Sequence, residues 1–110
     1  MDRLTTVLKN YARFHPNRPA VIDDKTELTY MELFERVNQW SYFLTEKGVG
    51  SGHSVMIFMN NQVGYLEVFL ALETINARII PINVHYLQSE IEYLMELNQN
   101  AYMITENSFA

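Results

Sequence analysis

From residue 29 onward the chain alternates between two periodicities, and that alternation restricts its fold more than any other feature. Thr29 to Lys47 repeats Leu33, Val37, Trp40 and Leu44 at helical spacing. Val55-Met56-Ile57-Phe58-Met59 is short and apolar throughout, the pattern of a strand buried on both faces. A second helical stretch follows Asn60-Asn61 and carries Tyr65, Leu66, Phe69, Leu70 and Leu72. Arg78 to Ile82 reads as another short strand. Leu87 to Asn98 reads as a helix with Leu87, Ile91, Leu94 and Met95 on one side, and Tyr102-Met103-Ile104 as a last strand. Helix and strand in strict alternation require crossover connections of one hand. The predicted class is therefore α/β, three-layer, with a mostly parallel sheet and crossover helices.

Local signals place the boundaries. Thr29 and Glu32 have capping-box spacing at a helix start, with Leu28 and Leu33 at the staple positions; Ser89 and Glu92 have the same spacing. Gly48 follows Lys47 as a C-terminal cap. Gly48-Val49-Gly50-Ser51-Gly52 follows a helix and precedes a strand, the reverse of the dinucleotide fingerprint, so it reads as cap plus turn. Upstream, Leu4, Val7, Leu8, Tyr11 and Ala12 share one side of a helix that Pro16 ends. Ala20-Val21-Ile22 and Glu27-Leu28-Thr29-Tyr30 read as a small hairpin, with Asp23-Asp24 in its solvated turn.

The chain of 110 residues carries a net charge of -5, which argues against nucleic-acid binding. It holds no cysteine, so neither a disulfide framework nor a thiolate metal site is open to it. The start, Met1-Asp2-Arg3-Leu4, has no long apolar run behind it, and no stretch approaches the roughly 18 apolar residues of a membrane span. The expectation is a cytoplasmic protein with no membrane span. His15, His53 and His85 fall in three separate loops, and Glu90, Glu92 and Glu96 on one solvated helix face, so no metal site is predicted. The methionines, among them Met56, Met59, Met95 and Met103, suit core packing. Asn83 to Tyr86 leaves the C-terminal end of a parallel strand, where open α/β sheets bind ligands. Asn83, His85 and Tyr86 are the candidate pocket residues.

Several segments, taken in order, resemble one large family. They are Pro16-Asn17-Arg18-Pro19-Ala20-Val21, Leu28-Thr29-Tyr30-x-Glu32-Leu33, Arg36-Val37-Asn38-Gln39 and Gly48-Val49-x-x-Gly52-x-x-Val55. Asn61, Ala77-x-x-x-Pro81-Ile82-Asn83, Leu87-x-x-x-Ile91-x-Tyr93 and Tyr102-Met103-Ile104-Thr105 complete the set. It is similar to the AMP-binding, adenylate-forming enzymes, and Pro81-Ile82-Asn83 with Ile91-x-Tyr93 looks most like their acyl-CoA synthetases. The resemblance implies that residues 1–110 form part of an N-terminal subdomain. It also implies a ligase chemistry in which a carboxylate and ATP give an acyl-adenylate, then a thioester with CoA.

Members of the family use a Gly-rich loop with a Lys, a magnesium-linked Glu, a ribose-binding Asp and a C-terminal Lys. None has a counterpart here, so this chain alone is expected to be inactive and to hold no ATP, magnesium or CoA. The expected partner is the remainder of the enzyme, or another copy through exposed apolar residues, with Tyr42, Phe43, Phe58, Phe69 and Tyr102 as candidates. The alternative is a non-enzymatic small α/β module derived from the same fold. Four positions depart from the family pattern: His53, Glu73, Thr74 and Asn76. Asn76 tolerates the left-handed backbone that glycine usually supplies there, whereas Glu73 predicts poorer packing at that helix end.

Overall fold

A computed structural model describes residues 3–106. The elements are α1 (Leu4–Phe14), β1 (Pro19–Ile22), β2 (Glu27–Thr29), α2 (Tyr30–Glu46), β3 (Ser54–Phe58), α3 (Gln62–Thr74), β4 (Arg78–Pro81), α4 (Gln88–Leu97) and β5 (Tyr102–Thr105). β1 and β2 pair antiparallel, with Val21 opposite Leu28. The main sheet has the order β4-β3-β5, and both of its pairings are parallel. The predicted fold class holds.

The chain steps from β3 to β4 in one direction, then back across β3 to β5 in the other. Right-handed crossovers therefore put α3 and α4 on opposite faces of the sheet. α1, α2 and α3 pack together, and their core joins Leu8, Leu33, Val37, Leu44, Val68 and Leu72 to Val55 and Ile57 of β3. Strand alternation turns Met56 to the other face, where it is still buried.

The ends follow the sequence signals closely. The Thr29 hydroxyl accepts from the Glu32 N–H at 3.1 Å, and the Glu32 carboxylate accepts from the Thr29 N–H at 2.9 Å. Those bonds hold the Glu32 carboxyl below its usual range. α2 ends in a Schellman motif: the Val49 N–H donates to the Leu44 carbonyl and the Gly48 N–H to that of Thr45, with Gly48 at φ 92°. α3 ends the same way, through Ala77 to Leu72 and Asn76 to Glu73, with Asn76 at φ 61°. In the hairpin, the Asp23 carboxylate accepts from the N–H groups of Lys25 and Thr26, as a solvated turn requires.

Four expectations need correction. α4 starts two residues earlier in its capping scheme than the sequence predicts: the Glu90 carboxylate accepts from the Leu87 N–H at 2.9 Å. Ser89 lies inside the first turn, and Leu87 has no side-chain acceptor, so only half a capping box forms. The predicted apolar side of α4 is not a core face: none of its residues is buried, and Leu87 and Met95 are exposed. On α1 only Leu8 and Ala12 of the predicted side are buried. Among the expected exposed aromatics, Tyr42, Phe43 and Tyr102 are exposed, but Phe69 packs against the core and Phe58 is half-buried.

The end of α3 packs better than its sequence suggests. The Glu73 carboxylate accepts from the Thr5 N–H at 2.9 Å and from the Thr5 hydroxyl at 3.1 Å, and Arg3 lies 3.9 Å away. α1 has no side-chain cap of its own. Glu73 satisfies one of its orphan N–H groups and places negative charge at the positive end of the helix.

Candidate functional site

Parallel pairing brings the C-terminal ends of β3, β4 and β5 to one edge of the sheet. The chain leaves β4 there. The Ile82 N–H still donates to the Ile57 carbonyl at 3.0 Å, and the Ile82 side chain is buried. The next residues turn sharply. The Asn83 side-chain oxygen accepts from the His85 N–H at 2.8 Å, and its main-chain carbonyl accepts from the Tyr86 N–H at 3.0 Å. Asn83 thus spends its side chain on holding the loop, and His85 is exposed. Tyr86 borders a shallow groove of about 360 Å³ along α4, with Ser89, Glu90, Tyr93 and Leu94. The three predicted pocket residues share one loop, and Tyr86 is the one that lines this groove.

The same edge holds a residue that the sequence did not mark. The Glu106 carboxylate accepts from the N–H groups of Asn60 and Asn61 just before α3, and the Asn61 side chain accepts from the Gly64 N–H at 3.0 Å. The entrance to α3 is therefore filled by the chain's own acceptors.

A second concavity of about 380 Å³ lies between α2 and α3, lined by Arg36, Gln39, Trp40, Phe43 and Glu67. Glu67 is the one buried charged residue among those described, and its carboxylate sits 3.4 Å from the half-exposed Arg36 guanidinium. Burial pushes the Glu67 carboxyl above its usual range, and the Arg36 charge pulls it only partly back. Trp40 and Phe43 meet edge to face at 5.9 Å between centroids, and the Lys47 ammonium lies over Phe43. The pair ties two helices together, and no side chain lining the groove is a nucleophile in reach of a base. The only sequence signal for Glu67 is a charge in the middle of a helix whose neighbouring residues are apolar on every side, the other charge, Glu73, standing at its end.

His15, His53 and His85 are all exposed, and His53 turns its Nδ1 to the Gly50 N–H at 3.0 Å. Among the described residues no three His, Cys, Asp or Glu side chains converge for a metal.

Comparison with known proteins places these features. The sequence matches the profile of the family described as AMP-binding enzyme across residues 8–110. It is 32% identical over 95 residues to a 3-oxocholest-4-en-26-oate–CoA ligase of Rhodococcus rhodochrous, covering 86% of this chain and 17% of that protein. Against tyrocidine synthase 3 of Brevibacillus parabrevis it is 33% identical over 92 residues, or 84% of this chain and 1% of that one. The fold matches the N-terminal subdomain of NpsA from Klebsiella oxytoca with a TM-score of 0.87 at 22% identity, over 97% of this chain and 27% of that chain. It also matches the o-succinylbenzoate coenzyme A synthetase of Bacillus subtilis with a TM-score of 0.84 at 21% identity, over 94% of this chain and 27% of that one. The chain spans less than a third of each of these proteins.

Proposed function

This chain belongs to the AMP-binding enzyme family, and on that premise we propose that it is the supporting wall of the N-terminal subdomain of an acyl-CoA ligase. The observation that carries this reading is the β4-β3-β5 parallel unit with its antiparallel hairpin, which overlays an adenylating subdomain over 97% of the chain. The sequence likeness to a CoA ligase for a steroid acid supports a carboxylic acid as the family substrate. It leaves adenylation for peptide synthesis as the second branch, on the likeness to tyrocidine synthase 3.

ATP, magnesium and CoA would be bound by the intact enzyme. The residues here do not fit the nucleotide phosphates. At the start of α3 the N–H groups of Asn60 and Asn61 meet the Glu106 carboxylate, and that of Gly64 meets Asn61. A phosphate there would face a carboxylate and no lysine. The chain has four glycines, and no glycine-rich run of it leads into a lysine. We therefore assign it scaffolding: the sheet carries Asn83, His85 and Tyr86 to the edge of a cleft, where they would form a minor part of a pocket. No helix among the described residues is long and apolar enough to cross a membrane, and the proposed setting is the cytoplasm.

The test is acid-dependent pyrophosphate exchange by the 110-residue chain, with fatty, aromatic and steroid acids offered in turn. No exchange above background is the expected result, and robust exchange with any acid overturns the assignment. The alternative, an independent non-catalytic module, requires a chain that is a clean monomer with a cooperative melt. Exposed Tyr93 and Leu97 on α4, and Leu87 just before it, speak against it.

A further inference from the structure

The groove between α2 and α3 holds polar groups that the fold leaves unsatisfied. Arg36, Gln39, Trp40 and Phe43 recur at intervals of three and four residues, so one face of α2 forms its wall, and Glu67 faces that wall from α3. The Glu67 side chain is 8% exposed. Among the described residues its carboxylate accepts no hydrogen bond, and its ion-pair partner is the Arg36 Nε at 3.4 Å. An ionised carboxylate offers about four acceptor positions, and buried polar atoms are normally hydrogen-bonded. The terminal N–H groups of Arg36, whose side chain is 47% exposed, also lack an acceptor among the described residues. Acceptor and donors thus stand side by side in a concavity of about 380 Å³, against an aromatic corner made by Trp40 and Phe43. A few convergent polar groups on an apolar wall, one of them a buried acid that costs the fold stability, suit a small-molecule site.

The chemistry of the ligand follows from these groups. Glu67 requires N–H donors and repels an anion. Arg36 requires an acceptor and, with the Lys47 ammonium over Phe43, repels a cation. The aromatic corner favours a flat ring. A neutral, flat heterocycle with donors and an acceptor on one edge meets all three demands, and guanine carries that edge: N1–H and 2-amino donors beside the O6 carbonyl. Adenine does not, because its N1 acceptor would face the carboxylate. We infer that the groove binds a free purine of the guanine type, its N1–H and 2-amino groups donating to Glu67, its O6 accepting from Arg36, and its ring against Trp40 and Phe43. The site shares no residue with the loop at 83–86 and does not rest on the ligase reading.

The test is titration of the 110-residue chain with guanosine, inosine and adenosine, followed by the fluorescence of Trp40, the chain's one tryptophan, and repeated by calorimetry. Guanosine should bind with a dissociation constant on the order of 0.1 mM. Inosine lacks the 2-amino donor and should bind about tenfold more weakly, the loss of one hydrogen bond to a charged group. Adenosine should not bind in that range. Glu67→Gln should lower guanosine affinity about tenfold and abolish the preference for guanosine over inosine. Its circular dichroism should match the parent's. Should the variant lose its helical signal, Arg36→Lys replaces it; that change keeps the charge but removes the forked donors, and should weaken guanosine and inosine equally. Tyr42→Ser, at an exposed position of α2 outside the groove, should bind as the parent does. No saturable binding of guanosine, adenosine bound as tightly as guanosine, or an undiminished preference for guanosine over inosine in Glu67→Gln overturns the inference. Each of these outcomes is independent of pyrophosphate exchange and leaves the scaffolding assignment standing.

Discussion

Glu67 and Asn76 occupy positions where a different residue would have been easier to place. For Glu67 the difficulty is burial. Its carboxyl is raised in the folded chain by desolvation, so the native state holds its proton more tightly than the unfolded state does. This part of the stability is lost as pH rises through the raised value and regained on acidification toward the ordinary value of 4.5. Glu67→Gln should therefore keep or raise the melting temperature at pH 7 and flatten its slope in weak acid. Arg36→Met leaves the carboxylate without its cation and should cost about 1–3 kcal/mol at pH 7, less near pH 5. Urea titrations at both pH values separate the two, and a large loss in Glu67→Gln would show that the pair is net stabilising. Asn76 is strained at φ 61°. Asn76→Gly should be neutral or stabilising, whereas Asn76→Val should cost at least about 1–2 kcal/mol in the same titration.

At the scale of elements, the helices differ in who caps them. α2 is self-sufficient, with a full capping box and a Schellman end. α1 borrows its cap from the far end of α3, through a contact between residues 68 apart in sequence. Glu73→Ala should then release the start of α1. The expected loss is about 0.5–2 kcal/mol, the range for removing an N-cap, with amide exchange rising at Thr5 and Thr6 and not along α2. An unchanged melting curve would deny Glu73 that role. Glu73, expected from the family resemblance to weaken that helix end, has a partner there in Thr5.

For the whole molecule, the sheet divides a well-packed side from a poorly covered one. Val55 and Ile57 are fully inaccessible, while α4 buries no residue. Hydrogen exchange should find the β3 amides slowest and those of α4 among the fastest, since local opening costs little where few apolar contacts must break. Comparable protection in α4 would mean that its apolar side is covered in solution. The same asymmetry explains how the site was read. The edge that carries Asn83 to Tyr86 was legible because parallel strands all end on one side. That Asn83 closes a turn and that Glu106 fills the entrance to α3 was not, because both depend on how loops far apart in sequence meet.

The sequence by itself determined the order of helices and strands, the ends of α2, and the parallel character of the sheet. Those follow from periodicity, caps and the one hand of the crossover, all of which act within a few turns of chain. Tertiary structure decided the rest: which carboxylates are shared between helices, which apolar stripe of α1 faces the core, and how little of α4 is covered. Each is settled by packing between distant segments, where several faces of similar hydrophobicity compete for one interior and only geometry ranks them.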